Sequence, residues 1–226
     1  ALDTGDVGAI YTGRDWSARG NAVQFNYIHD TMSRMSHGTM AIYLDDLTSG
    51  TYIYGNILVK AGRGVFIGGG RDNHVENNIF IDGEHAVHID NRGKGWSGEL
   101  IKKGQGSWDM FGKLEQVPYD QPLYTNKYPG LIDFLDKDPL EAMNNSVVRN
   151  IKIGAGDFLH LADVDTTNVI LEDNSVDIDP QFTEGDAVTS EFQLSPDSPA
   201  LNRGFKQIPF NLIGLQKNQY RKSLSE

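Results

Sequence analysis

The stretch Gly38–Arg92 decides the fold, because three of its segments can be written beneath one another. They are Met40-Ala41-Ile42-Tyr43-Leu44-Asp45, Arg63-Gly64-Val65-Phe66-Ile67-Gly68 and His85-Ala86-Val87-His88-Ile89-Asp90. An earlier copy, Gly8-Ala9-Ile10-Tyr11-Thr12-Gly13, aligns with them. Each reads as a short strand that alternates between two faces and is bounded by Gly, Asp, Asn or Arg. Ala41 and Gly64 are 23 residues apart, and Gly64 and Ala86 are 22 apart. A repeat of about 20–50 residues marks a solenoid, in which each unit buries its apolar face only by stacking on the next.

A second ladder runs in phase with the first. Phe25-Asn26-Tyr27-Ile28, Gly55-Asn56-Ile57-Leu58, Asn77-Asn78-Ile79-Phe80, Arg149-Asn150-Ile151-Lys152 and Asp173-Asn174-Ser175-Val176 each carry an Asn with an apolar residue soon after. Asn favours turns in its own right. Five copies in phase predict something more specific: amides stacked at one corner of successive coils, neighbours ~4.8 Å apart. The expected fold is all-β, a right-handed parallel β-helix forming a single-stranded solenoid.

The segments 8–16, 38–46, 62–73 and 86–93 resemble those of bacterial right-handed parallel β-helix proteins of carbohydrate metabolism. Among these the chain is most similar to the β-helix glycoside hydrolases of the fucosidase and xylanase type, glycoside hydrolase family 141. The resemblance extends to Tyr128-Pro129-Gly130-Leu131 and to the ending Ser195-Pro196-Asp197-Ser198-Pro199-Ala200-Leu201. It implies a secreted enzyme of polysaccharide degradation, extracellular or periplasmic. It bears on fold more than on reaction, since one scaffold carries lyases, hydrolases and epimerases.

Composition narrows the classes. With 226 residues, 38% of them hydrophobic, the chain suits one domain over 1–226. It has no cysteine, which removes disulfides, thiolate metal sites and a cysteine nucleophile. No apolar run approaches the ~18 residues of a membrane span. A net charge of −11 argues against nucleic acid. A local basic patch of Arg14, Arg63, Arg71, Arg92 and Lys94 at the ends of the first ladder keeps uronates in play.

Four coils are read from Gly8 to Arg92, with the connection Met32–Gly38 projecting over a groove. A long insertion, 93–145, then interrupts the repeat as a lid or binding wall, with a short amphipathic helix at Leu131–Leu135. Repeats resume at Val147–Gly154 and Val169–Val176, and an irregular tail over 179–226 caps the last coil through Phe182, Phe192, Phe205 and Phe210. Terminal coils of a solenoid need covering, and the first repeat begins at about Gly8 with no helix read before it to serve as a cap. The expectation is therefore that 1–226 is the C-terminal part of a longer chain whose N-terminal coils cover this end, or that an oligomer partner does.

The chemistry follows from the alternation of a strand. Ile10, Ile42, Val65 and Val87, with Thr12, Leu44, Ile67 and Ile89, should face inward. Tyr11, Tyr43, Phe66 and His88 should then stand outward in file, with Gly13, Asp45, Gly68 and Asp90 in the next file. Cross-strand stacking alone accounts for the aromatic file. It does not account for Asp45 and Asp90, which are read as the catalytic carboxylates. His88 is read as an acid, a base or an orienting group, and its alternative is a half-exposed ladder residue. Tyr11, Tyr43, Phe66, Arg71, Arg92 and Trp96 are the candidate substrate-binding residues, with Trp16 and Trp108 as further platforms. His37 and His85 are read as structural, and Gly68-Gly69-Gly70 as a bend. No metal site or cofactor is expected. Asp163, Asp165, Asp173, Asp177 and Asp179 have the oxygens that calcium takes but match no calcium-loop spacing, so solvated turns account for them.

The expected function is hydrolysis of a glycosidic bond in a plant or algal polysaccharide, with an oligo- or polysaccharide as the only partner besides any covering subunit. Asp45 and Asp90 lie two coils apart, ~9.5 Å by strand spacing. Gly68 between them should leave an empty floor for a water, which favours inversion. The alternatives are a lyase or epimerase acting on uronates, with His88 or a Tyr as base and Arg71 or Arg92 neutralising the carboxylate, and a non-catalytic carbohydrate-binding β-helix.

Overall fold

In the computed structural model, which describes residues 3–33, 35–183, 192–214, 217 and 219–221, the repeats form coils of three short strands each. The first coil is β1 (Val7–Gly13), β2 (Ala22–Gln24) and β3 (Tyr27–His29). The second is β4 (Thr39–Asp45), β5 (Tyr52–Tyr54) and β6 (Ile57–Val59), and the third β7 (Arg63–Gly68), β8 (His74–Glu76) and β9 (Ile79–Ile81). The fourth is β10 (His85–Asp90), β11 (Asn145–Val148) and β12 (Ile151–Ile153), and the fifth β13 (Asp157–Ala162), β14 (Val169–Glu172) and β15 (Ser175–Val176). Equivalent strands pair in parallel, giving three five-stranded sheets: β1-β4-β7-β10-β13, β2-β5-β8-β11-β14 and β3-β6-β9-β12-β15. This is an all-β parallel solenoid.

The register is the expected one: Ile10↔Ile42↔Val65↔Val87 and Tyr11↔Tyr43↔Phe66↔His88. Ile42, Val65, Val87, Leu44, Ile67 and Ile89 are fully buried between the sheets, while Ile10 and Thr12 in the end coil are half-buried. The fifth strand of this sheet, β13, went unread; it sets Leu159 beside Val87 and His160 beside His88. The insertion also begins earlier in the architecture than expected. It leaves between β10 and β11, inside the fourth coil, so 8–92 holds three full coils and one strand of a fourth.

All five asparagines stack. Asn26 Nδ2 donates to Asn56 Oδ1 at 2.8 Å, Asn56 to Asn78 at 2.9 Å, Asn78 to Asn150 at 3.0 Å and Asn150 to Asn174 at 3.1 Å. Each accepting oxygen also takes the backbone N–H of the preceding Asn, so the corner's amides are matched. The residue before each Asn (Phe25, Gly55, Asn77, Arg149, Asp173) has positive φ. A left-handed turn costs a residue with a Cβ about 1–2 kcal/mol, and the amide ladder offsets that cost. A second, shorter ladder joins Asn73 to Asn145 at 3.1 Å at another corner.

The insertion contains α1 (Gly98–Ile101), α2 (Met110–Glu115) and α3 (Pro122–Thr125). The helix expected at Leu131–Leu135 is replaced by two 3-10 turns, Pro129–Leu131 and Phe134–Asp136, with Asp133 at φ 54° breaking the run between them. Ile101, Met110, Leu114, Leu131 and Phe134 form a separate core with Trp16 and Leu47 of the first two coils. Trp16 is thus fully buried and is no sugar platform.

Of the tail expected over 179–226, residues 184–191, 215, 216, 218 and 222–226 lie outside the described ones. The described part does not cap the last coil. Phe192, Leu194, Ala200, Phe205 and Ile208 lie along the outer face of the third sheet, on Ile57, Ile79 and Ile151 of three coils. Phe182 and Phe210 pack against the same cluster, so the four anchors are right and their destination is different. Ile170 and Leu171 on the last coil remain half-exposed. No helix among the described residues is long and apolar enough to cross a membrane.

Candidate functional site

The outer face of the first sheet is not a simple alternation. Pairing skips Ala41, Gly64 and Ala86 in each coil. Ala41 and Ala86 lie in the main core together with their neighbours Ile42 and Val87. Two consecutive residues therefore turn inward, and the residue before them turns out. Met40 packs outside with Tyr43 and Phe66, and Arg63 stands with its Cζ 5.1 Å from the centre of the Phe66 ring. The face thus carries a third file, Met40, Arg63, His85 and Asp157, that strict alternation does not foresee.

The aromatic file is continuous. Tyr43 stacks on Phe66 at 5.0 Å and 11°, and Phe66 on His88 at 4.3 Å and 16°. Tyr11 meets Tyr43 edge-on at 5.4 Å, and His160 meets His88 edge-on at 4.6 Å. The two ends of the file, Tyr11 (55% exposed) and His160, offer rings to solvent; Tyr43 and Phe66 between them are 3% and 4% exposed. Arg63 and Arg92 roof the Phe66 ring, with the Arg92 Cζ 5.0 Å from its centre. Tyr43 and Phe66 are therefore supports for the face rather than platforms for a sugar.

Beside this file lies the charged floor of a groove lined by Asp45, Asp46, Asp90, Arg92, His88 and Trp96, among others. Arg92 Nε lies 3.0 Å from both carboxylate oxygens of Asp90, and Nη2 lies 2.9 Å from Oδ2. Arg92 Nη1 bonds Asp45 Oδ1 and, at 3.2 Å, Asp46 Oδ1. A Cβ on Gly68 would lie 2.5 Å from Arg92 Cζ. Gly68 thus makes room for a guanidinium, and the floor expected to be empty between the two acids is filled. Arg92 is correspondingly no free substrate clamp: it spans from the fourth coil to the second and is only 7% exposed. Burial alone would pull its pKa down, but the bonds and charge of Asp90 outweigh this and raise it.

Asp45 also accepts the Tyr11 hydroxyl at 2.8 Å. Burial, then this bond, pushes Tyr11 up to about 12. Burial raises Tyr43 further, against the pull of Arg92. Asp46 went unnoticed in the sequence. Its carboxylate is 3% exposed, takes Arg14 Nε at 2.6 Å, and has its pKa raised by burial against the hydrogen bond from Arg14. Three carboxylates thus share two guanidinium groups.

The insertion reaches this groove at one rim. Trp96 lines it, is 62% exposed, and has the Arg92 Cζ 5.6 Å from its ring centre. Trp108 braces Trp96 edge-on at 5.7 Å and lies under Arg14 at 4.2 Å. Of the wall expected from 93–145, the lining of the groove shows Trp96 alone, with Trp108 as its support. His37, in the connection expected to project over a groove, lines it too. Arg71 does not. It is buried and donates to the backbone carbonyls of Lys137, Asp138 and Glu141, so it anchors the insertion and has no part in substrate binding.

His88 differs most from its reading. It is 8% exposed, neither ring nitrogen has a partner among the described residues, and its pKa is pushed down to about 3 by burial and then by Arg63, His160, His85 and Arg92. It is neutral at physiological pH and cannot serve there as a cationic acid. Arg63 Nε and His85 Nδ1 nearby are also buried without a hydrogen bond, and meet carboxylates only at ion-pair range, Glu84 at 3.7 Å and Asp157 at 3.4 Å. Since the folded-state pKa lies below the unfolded value of ~6.5, the unfolded chain binds the extra proton between those limits. Stability from this residue is complete above pH ~6.5 and falls by up to ~1.4 kcal/mol per pH unit as pH drops toward 3. Denaturant unfolding of wild type and His88→Phe from pH 7 to 4 should show the stability of wild type relative to the variant falling at about that rate. A constant difference would mean that His88 titrates normally.

Among the described residues no cluster of three or more His, Cys, Asp or Glu side chains could hold a metal ion. Asp165 is spent on Thr167, and Asp177 on Lys152. The site therefore joins Asp45, Asp90, His88, Arg92 and Trp96 in one groove, with Tyr11 at its side, and adds Asp46, Arg14 and Arg63. A comparison of the chain with protein-family models, curated proteins and solved structures finds no match in any of the three.

Proposed function

We propose that this chain is a glycoside hydrolase on a right-handed parallel β-helix, cleaving a plant or algal polysaccharide along the outer face of its first sheet. Asp45 and Asp90 are the reacting carboxylates. One observation carries the reading: two acids from coils two apart grip opposite sides of one guanidinium, at the floor of a groove rimmed by an exposed Trp96. Their backbones stand two strand spacings apart, ~9.5 Å, which suits the ~6.5–9.5 Å carboxylate separation of inverting enzymes better than the ~5–5.5 Å of retaining ones. Because Arg92 fills the space between them, the attacking water sits above the guanidinium, on the groove side. Trp96 stacks a sugar ring, and the unmatched polar atoms of Arg63 and His88 bind hydroxyls farther along the face. Export to an extracellular or periplasmic space, and coverage of the β1–β2–β3 edge by further coils or another subunit, belong to the same reading.

Uronate lyase chemistry has less support, since Arg71 and Arg92 are both committed and His88 is buried. A non-catalytic glycan-binding role is favoured by one feature, the satisfaction of all three carboxylates by arginine. A turnover screen on plant and algal glycans, with proton NMR of the first-formed anomer, separates these readings. Inverted product is expected. Retained product would reject the proposed pair, an unsaturated product would mean a lyase, and binding without turnover would mean a lectin-like module.

A further inference from the structure

A second recess lies away from the groove, where the insertion meets the first coil. It encloses about 250 Å³ and is lined by Ser17, Arg19, Leu123, Tyr124, Lys127 and Tyr128. The Arg19 side chain is 2% exposed. Its Nη1 pairs with Asp72 at 2.6 Å and its Nε donates to the Trp16 carbonyl at 3.2 Å. Nη2 is buried with no partner among the described residues. A charged donor left unmatched in a protein interior is costly, and such atoms point to a missing ligand.

Charge leads the same way. The Arg19 and Arg71 Cζ atoms lie 5.5 and 5.1 Å from the centre of the Phe134 ring. Arg71 is bonded only to backbone carbonyls, and burial lowers its pKa, with a contribution from Arg19. Asp72 thus contacts Arg19 alone, and Arg71 feels the charges of Asp72, Asp138 and Glu141 without a direct ion pair, in a protein whose net charge is −11. Lys127 adds a third cation at the mouth and forms no ion pair among the described residues; its Nζ lies 5.3 Å from the centre of the Tyr128 ring. The Ser17 hydroxyl is already spent on Asp15 at 2.7 Å. The charged donors left are therefore Arg19 Nη2 and the Lys127 ammonium, with Tyr124 and Tyr128 completing the lining.

We infer that this recess is an oxyanion-binding site, built for a sulfate or phosphate group, either free or as an ester on a glycan. The one guanidinium nitrogen left over, with an ammonium and two tyrosines beside it, gives a tetrahedral oxyanion charged donors from more than one side. The inference does not depend on the proposed hydrolase, because no residue of the groove takes part. The full chain would be titrated with sodium sulfate and sodium phosphate against chloride at equal ionic strength, and followed by amide NMR. Saturable shifts should appear at residues 17–20 and 123–128. Lys127→Gln should weaken binding up to about fivefold, and Arg19→Lys by at least about tenfold. The exposed position of Lys127 keeps the test open if Arg19→Lys fails to fold. A sulfated oligosaccharide that binds more tightly than inorganic sulfate, while its desulfated form does not bind here, identifies an ester ligand. Equal affinity identifies a free anion. Sulfate shifts no different from those of chloride, or shifts untouched in Lys127→Gln and Arg19→Lys alike, would overturn the site.

Discussion

Asp90→Asn should lower turnover on the cognate glycan by about 10²–10⁴-fold, the range of a lost general acid or base, while leaving the fold intact. The amide keeps the shape of the carboxylate, and Arg92 retains Asp45 and Asp46 as partners. Asp45→Asn should act similarly, and the double variant should be little worse than either single one, because the two acids work as a unit. Circular dichroism and thermal melting of each variant would confirm that folding is not the cause. Unchanged turnover in either single variant would remove that residue from the mechanism.

The largest stability effect belongs to the middle of the amide ladder. Asn78 is fully buried; its two Nδ2 hydrogens are shared among Ile53 O, Glu76 O and Asn150 Oδ1, and its Oδ1 accepts two bonds from Asn56. Asn78→Ala strands the Asn56 backbone N–H and the Ile53 carbonyl away from water. At ~1–3 kcal/mol for each unmatched buried group, the loss should reach about 3–5 kcal/mol. Asn26→Ala, at the half-buried end of the ladder, should cost roughly 1 kcal/mol. Urea unfolding of the two variants measures the gradient, and equal losses would mean that the ladder does not act through burial.

That ladder was legible in the sequence because it is local: an Asn, then an apolar residue, recurring in phase. The inward rows were legible for the same reason. β13 escaped because Gly154-Ala155-Gly156 obscures its start and because the insertion sets His160 72 residues beyond His88. The alternation of Phe158-Leu159-His160-Leu161 was the available signal. The file of Met40, Arg63 and His85 escaped because two inward residues in succession break a period of two. The fates of Arg71 and Arg92 could not be read at all. A long side chain reaches partners one or two coils away, and no local pattern records where it ends. Asp45 and Asp90 were picked from strand register alone, so their common wall was foreseeable and the guanidinium between them was not.

Solenoids ordinarily unfold from their ends, since each coil holds only its neighbours. Arg92 alters that rule here. Rooted just after β10, it bonds Asp45 and Asp46 two coils away, which couples the second and fourth coils directly and encloses the third. Amide exchange should therefore find β4, β7 and β10 opening together as one cooperative unit, with β1 and β13 exchanging sooner through separate fraying. The charged floor would then act as a staple on the order in which the solenoid comes apart, and loosening it would free the ends of the groove to move independently.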